Sequence, residues 1–137
     1  MKSALKTCSR RLAAVVLATG LLLCWSCATG PDLVACTGPV TVTTTSDLDP
    51  TFSWTPNCLV DQLSVEADIA PSAGGPQPRW LIAARVTGRG AGAPLRYGHV
   101  PFTMEEALSA SPLVAGHEYT VRVFASGTQI GLRVFGP

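Results

Sequence analysis

The chain has 137 residues and a net charge of +1, with ten basic and nine acidic residues. Four of the basic residues lie before Leu12, so the remainder carries six arginines, no lysine and a net charge of about −3. Binding to a phosphate backbone requires a basic surface, and nucleic acid is therefore not an expected partner. Residues 27–137, about 110 residues, are enough for one domain with a buried core.

The N-terminal segment has the pattern of an export signal. Its basic residues precede an apolar run from Leu12 to Trp25, and no acidic residue occurs in this part of the chain. The run is shorter than the roughly 20 residues of a spanning helix, and Thr19 and Gly20 interrupt it. We therefore predict a signal peptide over residues 1–26 and export from the cytosol.

The end of the apolar run allows two processing outcomes. The stretch 22–27 resembles a bacterial lipobox, in which Cys27 is acylated and becomes the new N-terminus, although Cys24 stands where Leu is usual. This outcome predicts a lipoprotein with a short tether over residues 27–38, held in the cell-envelope membrane by its lipid. It is preferred because a cysteine at this place otherwise has no role. Cleavage after Ala28 is the alternative, and it would release a secreted domain.

Cys36 and Cys58 remain as a pair in the exported part, which indicates an oxidising compartment. Strand patterns at 40–45 and 51–54 flank a turn pattern at 46–50. Folding this segment into an antiparallel hairpin brings the two cysteines together at its open end. We predict a Cys36–Cys58 disulfide. By closing this loop it would stabilise the folded state by roughly 3 kcal/mol on the chain-entropy model.

Polar and apolar residues alternate along most of the remaining chain, as in half-buried strands. In the last strand Ile130, Leu132 and Val134 are expected to face the core. A capping-box pattern at Thr103–Glu106 predicts one helical turn, and the stretch 71–78 is expected to be a loop outside any ladder. The predicted strands of this part span 63–69, 80–86, 95–100, 119–123 and 130–134.

Together these patterns predict an all-β domain over residues 39–137, a seven-stranded antiparallel β-sandwich. Phe52–Pro56 and Leu113–Val123 resemble the second and sixth strands of fibronectin type III domains. The resemblance implies an immunoglobulin-like sandwich with a buried Trp54 and a tyrosine corner at Tyr119. The disulfide is not a requirement of that family, and no Arg-Gly-Asp triplet is present. The segment 95–101 also resembles small bacterial envelope lipoproteins, which implies a location more than an activity.

The residues that could carry chemistry are few. Glu66 and Asp68 would share one face of a strand, where ion pairs with Arg122 and Arg133 account for them better than acid–base catalysis. The two histidines, His99 and His117, lack further ligands at useful spacing, so no metal and no cofactor are expected. No nucleophile elbow or phosphate loop occurs. We therefore expect a protein that is not an enzyme.

One candidate interaction patch follows from the alternation in the last two strands. Arg122, Phe124, Arg133 and Phe135 lie out of phase with the predicted core residues, which would place them together on an outer sheet face. The alternative is that Phe124 packs under a loop and Phe135 closes the end of the sandwich. The expected partner is another envelope or extracellular protein, with a glycan or extracellular polymer as the alternative.

Overall fold

The computed structural model describes residues 32–68 and 75–137. The predicted signal peptide, Cys27 and Ile69 lie outside these residues. The described part contains no helix that is long and apolar enough to cross a membrane. It contains eight strands: β1 (Thr41–Thr44), β2 (Thr51–Thr55), β3 (Gln62–Ala67), β4 (Gln77–Ala84), β5 (Leu95–Arg96), β6 (Met104–Leu108), β7 (Tyr119–Ala125) and β8 (Thr128–Phe135).

The strands form two antiparallel sheets in a sandwich-like arrangement. One sheet has the order β1-β2-β5 and the other β6-β4-β3-β7-β8. The prediction of an all-β sandwich is thus confirmed, but the described residues form eight strands where seven were predicted. The two sheets also meet at one corner, where the Val40 amide donates a hydrogen bond of 2.9 Å to the Ile130 carbonyl.

The core lies between the two sheets and follows from the alternation of apolar residues. On β3 and β7 every second side chain is buried, as the sequence predicts. Trp54 of β2 is 3% exposed, and its indole donates a hydrogen bond of 2.9 Å to the Cys58 carbonyl. The fully buried side chains of greatest volume are Trp80, Tyr119, Phe52, Leu63, Ile82 and Met104.

Strand β6 is the additional strand that the sequence did not predict. It lies where a helical turn was predicted at Thr103–Glu106, so that prediction is wrong. β6 pairs with the free edge of β4, which satisfies backbone groups that a single helical turn would leave unpaired. Met104 is completely buried in this pairing. Glu106 does not cap a helix, because its carboxylate accepts a hydrogen bond of 3.1 Å from the Trp80 indole.

Strand β4 differs from the prediction at both ends. It begins at Gln77 and includes Pro78, which was expected to lie in a loop. Proline is tolerated here because a register shift adjoins it and the pairing with β6 ends at Leu81. At its other end β4 stops at Ala84, whereas the predicted strand extended to Val86, which is 57% exposed.

Strand β5 is shorter than the predicted strand at 95–100. Leu95 and Tyr97 are buried, but only Leu95 and Arg96 pair with β2. The chain turns at once, since Gly98 has a positive φ of 70° and the His99 amide donates to the Arg96 carbonyl. Arg96 forms an ion pair with Asp49 in the β1–β2 turn, and this carboxylate raises the pKa of its guanidinium.

A disulfide joins Cys36 and Cys58, as predicted, with a Cα–Cα distance of 5.0 Å. β1 and β2 pair in antiparallel register between the two cysteines. Part of the predicted tether also joins the sandwich, because the Leu59 amide donates to the Val34 carbonyl and the Cys36 amide to the Leu59 carbonyl. We call this end of the sandwich the disulfide end; β4 finishes there, β6 begins there and the β7–β8 turn lies there.

The last strand follows the prediction at Ile130, which packs against the core, but departs from it beyond Gly131. Leu132 and Val134, expected in the core, are 49% and 45% exposed, whereas Phe135 is 7% exposed. The physical reason is Gly131, which faces the other sheet. A Cβ atom there would come within 2.7 Å of Val40 Cγ2 and 2.9 Å of the Val40 carbonyl oxygen. Only glycine permits this close approach. With Gly131 facing Val40, the side chains after it alternate outward and inward from that position.

Two tyrosines tie loops to the sandwich at the opposite end. The Tyr119 hydroxyl accepts a hydrogen bond of 2.9 Å from the Val114 amide, upstream of its own strand. The Tyr97 hydroxyl donates to the Ser111 carbonyl at 2.6 Å, and its ring packs edge-on against Trp80 at 5.3 Å. Burial, with a smaller effect from nearby Tyr119, raises the pKa of Tyr97 to about 12.

Substituting Gly131 with Ala should destabilise the fold by about 1–3 kcal/mol, because the added methyl group would overlap the Val40 backbone and side chain. The melting temperature should fall by about 5 °C or more. Gly38→Ala is the control, since nothing lies within 4 Å of a Cβ atom at that position. Equal melting temperatures for the two variants would contradict the close approach of β8 to Val40.

Stability should fall as the pH rises from about 10 to about 12, in part because of Tyr97. The unfolded phenol loses its proton near pH 10, whereas the folded phenol keeps it to about 12, so the unfolded state binds fewer protons in this window. Tyr97→Phe removes this contribution. Urea unfolding should show a smaller stability difference between wild type and variant at pH 11 than at pH 8. If the stability difference between wild type and variant were the same at pH 8 and pH 11, the pKa of Tyr97 would not be raised by folding.

Candidate functional site

The four residues of the predicted interaction patch do not share one surface. Arg122 and Phe124 lie on the outer face of β7, half-buried. Arg133 is exposed, and its register position lies opposite the buried Val121. Phe135 belongs to the core, where its ring packs at 5.5 Å from Phe52 and 5.8 Å from Tyr119. The expectation of one outward patch is therefore wrong, and Phe135 closes the end of the sandwich, as in the alternative.

A cross-strand polar network surrounds Arg122. Its Nε donates to Glu66 Oε2 on β3 at 3.2 Å, and its Nη1 donates to Gln129 Oε1 on β8 at 2.9 Å. Glu66 is thus held by an ion pair across strands, as the sequence predicts, and both side chains keep partial solvent access. Asp68 follows the end of β3 and is exposed. The network accounts for Glu66 as a stabilising partner on a sheet face.

The outer face of the five-stranded sheet is more apolar than predicted. The register places Leu108, Leu81, Arg122 and Leu132 in one row across the sheet, with Ser64 between Leu81 and Arg122. Val134 of β8, which is 45% exposed, lies in a neighbouring row. We call the surface formed by these apolar residues, Arg122 and Phe124 the outer face. Its mixture of aliphatic, aromatic and arginine side chains is typical of protein contact surfaces.

A second exposed apolar feature lies at the disulfide end and was not predicted. Phe102 is 89% exposed and Val86 57% exposed. With Arg85 and Arg89 they surround a cavity of about 110 Å³. We call these four residues the aromatic tip. A sequence signal did exist, because Phe102 follows Pro101 in a turn pattern where a core side chain is not expected.

A groove of about 570 Å³ runs beside the disulfide, between residues 36–39 and the start of β8. Its lining comprises small, hydroxyl and aliphatic side chains together with Gln129, and no aromatic or charged residue of the described chain contributes to it. Such a lining offers neither a stacking surface nor a titratable group for catalysis.

The histidines stay apart from any such groove. Both His99 and His117 are exposed in loops. Within residues 32–68 and 75–137, no group of three or more His, Cys, Asp or Glu side chains comes together in a way that would hold a metal ion. Comparison with known protein families, curated proteins and solved structures yields no match to this chain.

Replacing Phe124 or Phe135 with Ser should lower the stability of the fold by very different amounts. Phe135→Ser removes a ring packed between Phe52 and Tyr119 and should cost about 3–5 kcal/mol. Phe124→Ser removes a half-buried ring on the outer face and should cost about 1 kcal/mol or less. Urea unfolding of the two variants measures both values. A loss for Phe124→Ser as large as that for Phe135→Ser would place Phe124 in the core.

Proposed function

We propose that the chain is an exported cell-envelope protein, anchored by a lipid on Cys27, whose β-sandwich binds a protein partner without catalysis. The observation that carries the proposal is the pairing of Cys36 with Cys58 behind an export-signal pattern. Disulfides persist in oxidising compartments and are rare in the cytosol. A chain that carries both features is suited to the periplasm or the cell exterior.

The proposed kinship with fibronectin type III domains gains support from the topology. β3, β7 and β8 are neighbours in one sheet, the arrangement that strands C, F and G have in immunoglobulin-like sandwiches. The Tyr119 hydroxyl accepts a hydrogen bond from Val114, five residues upstream, as in a tyrosine corner. Strand β6 is an addition at the sheet edge. Domains of this kind serve many unrelated functions, so the kinship supports a scaffold and not an activity.

The outer face favours a protein partner over a glycan. A glycan-binding groove would present coplanar aromatic rings, whereas the outer face offers one half-buried ring, Phe124, among Leu132, Val134 and Arg122. Aliphatic groups beside an arginine suit a protein surface. β8 is also an edge strand, which leaves backbone groups available to an added strand.

The intact mass of the mature protein, purified from membranes of a bacterial host, tests the proposed export and the lipid anchor. The proposal predicts a chain that begins at Cys27, carries an acyl adduct and lacks the two thiol hydrogens of Cys36 and Cys58. Cys27→Ala should abolish the adduct because it removes the acceptor thiol. Cys24→Ala is the matched control and should keep the adduct. A species that begins at Thr29 without lipid would refute the anchor and indicate a secreted domain.

A further inference from the structure

We propose that the aromatic tip is a membrane-contact site, which rests the disulfide end of the domain on an anionic lipid surface. The inference builds on the lipid anchor proposed above and adds a second point of attachment. Its chemistry is that of interfacial binding, in which an aromatic ring enters the headgroup region while cationic side chains contact lipid phosphates.

The exposure of Phe102 is built into the fold. The Met104 amide donates a hydrogen bond of 2.9 Å to the Pro101 carbonyl, which closes a turn with Phe102 at its apex. Met104 is completely buried on the other side of this turn. The turn is further tied to β4, because the Arg85 amide donates to the Thr103 carbonyl at 3.0 Å. The ring therefore projects from a fixed turn and has no route back to the core.

The charges around Phe102 suit an anionic surface. Arg85 and Arg89 are exposed, and neither forms an ion pair with any residue that the structure describes. The disulfide end also carries carboxylates: Asp61 accepts a hydrogen bond from the Ser126 amide, and Glu105 is exposed on β6 opposite Ala83. The opposite end of the sandwich carries four acidic residues, Asp47, Asp49, Asp68 and Glu118, together with Arg79 and with Arg96, which pairs with Asp49. The exposed ring of Phe102 therefore lies beside two arginines that form no ion pair among the described residues, although Arg85 Nε also donates a hydrogen bond of 2.7 Å to the Met104 carbonyl.

The N-terminal chain enters the domain at this same end. Ala35 pairs with Leu59, and it lines one small cavity together with Thr87 and Gly88 of the loop that carries Val86 and Arg89. Six residues separate Val34 from Cys27, and the seven backbone steps between them span at most about 25 Å when fully extended. A lipid on Cys27 would therefore keep the aromatic tip close to the leaflet. At such an effective concentration, a weak contact is enough to orient the domain.

Phe102→Trp allows a direct test, because the two tryptophans of the described domain, Trp54 and Trp80, are 3% and 0% exposed. The mature protein is reconstituted in vesicles of phosphatidylcholine and phosphatidylglycerol that contain a brominated lipid. The introduced indole should be quenched by bromine. Val114→Trp is the matched control, since Val114 is 52% exposed at the opposite end, and its indole should remain unquenched.

Arg89→Gln in the Phe102→Trp protein tests the charge. Affinity for the anionic vesicles should fall about 5-fold, the equivalent of about 1 kcal/mol for one arginine near the surface. Arg133→Gln, which alters an exposed arginine away from the aromatic tip, should leave the affinity unchanged. Vesicles of phosphatidylcholine alone should bind both proteins equally and more weakly.

Failure of the anchor and failure of the aromatic tip are distinguishable. An unacylated mature protein would refute the anchor, and the aromatic tip is then tested on the same Phe102→Trp protein with an excess of anionic vesicles. An indole at position 102 that stays unquenched, with or without acylation, overturns the membrane-contact site and leaves the aromatic tip to a protein partner. Equal quenching at positions 102 and 114 also overturns it, because the domain would then have no preferred end.

Discussion

The bond between Cys36 and Cys58 is the constraint on which the arrangement of the molecule depends. It closes the β1–β2 hairpin at its open end and joins the N-terminal segment to the chain that leads into β3. Two backbone hydrogen bonds between residues 34–36 and Leu59 complete the junction. Without the crosslink, this segment would depend on a two-residue bridge, which is too short to be stable alone. The disulfide thus fixes the chain that precedes β1 against the chain that leads into β3.

A second constraint, the close approach of β8 to Val40, decides which side chains the sandwich presents. Gly131 lies where any Cβ atom would overlap Val40. Beyond Gly131 and the register shift in the β7–β8 pairing, side chains alternate so that Phe135 faces inward and Leu132 and Val134 face outward. The outer face owes its aliphatic character to that parity. The same parity removes Phe135 from the surface.

The sequence predicts the parts of the fold in which local pattern and burial agree. Alternation identifies β3 and β7, and the symmetric placement of the cysteines predicts the disulfide. It fails at β6, where a capping-box pattern competes with the free edge of β4 and the tertiary pairing prevails. It also fails in β8, because apolar residues occur on both parities and only the contact at Gly131 selects between them.

The candidate surfaces are less predictable than the fold for the same reason. Arg122 and Glu66 are brought together by regular register, which the sequence anticipates. Val86 and Phe102 lie on opposite sides of β5 in the sequence, and their proximity at the disulfide end depends on where β4 stops and β6 begins. Such boundaries are set by tertiary pairing, not by local propensity.

Hydrogen exchange and urea unfolding, measured with and without a reductant, test the role of the disulfide most directly. Reduction should lower the free energy of unfolding by roughly 3 kcal/mol. It should also abolish the protection of the Cys36 and Leu59 amides while the amides of β3 and β7 remain protected. Unchanged stability, with Cys36 and Leu59 still protected after reduction, would contradict the account, because the N-terminal segment would then be held by something other than the crosslink.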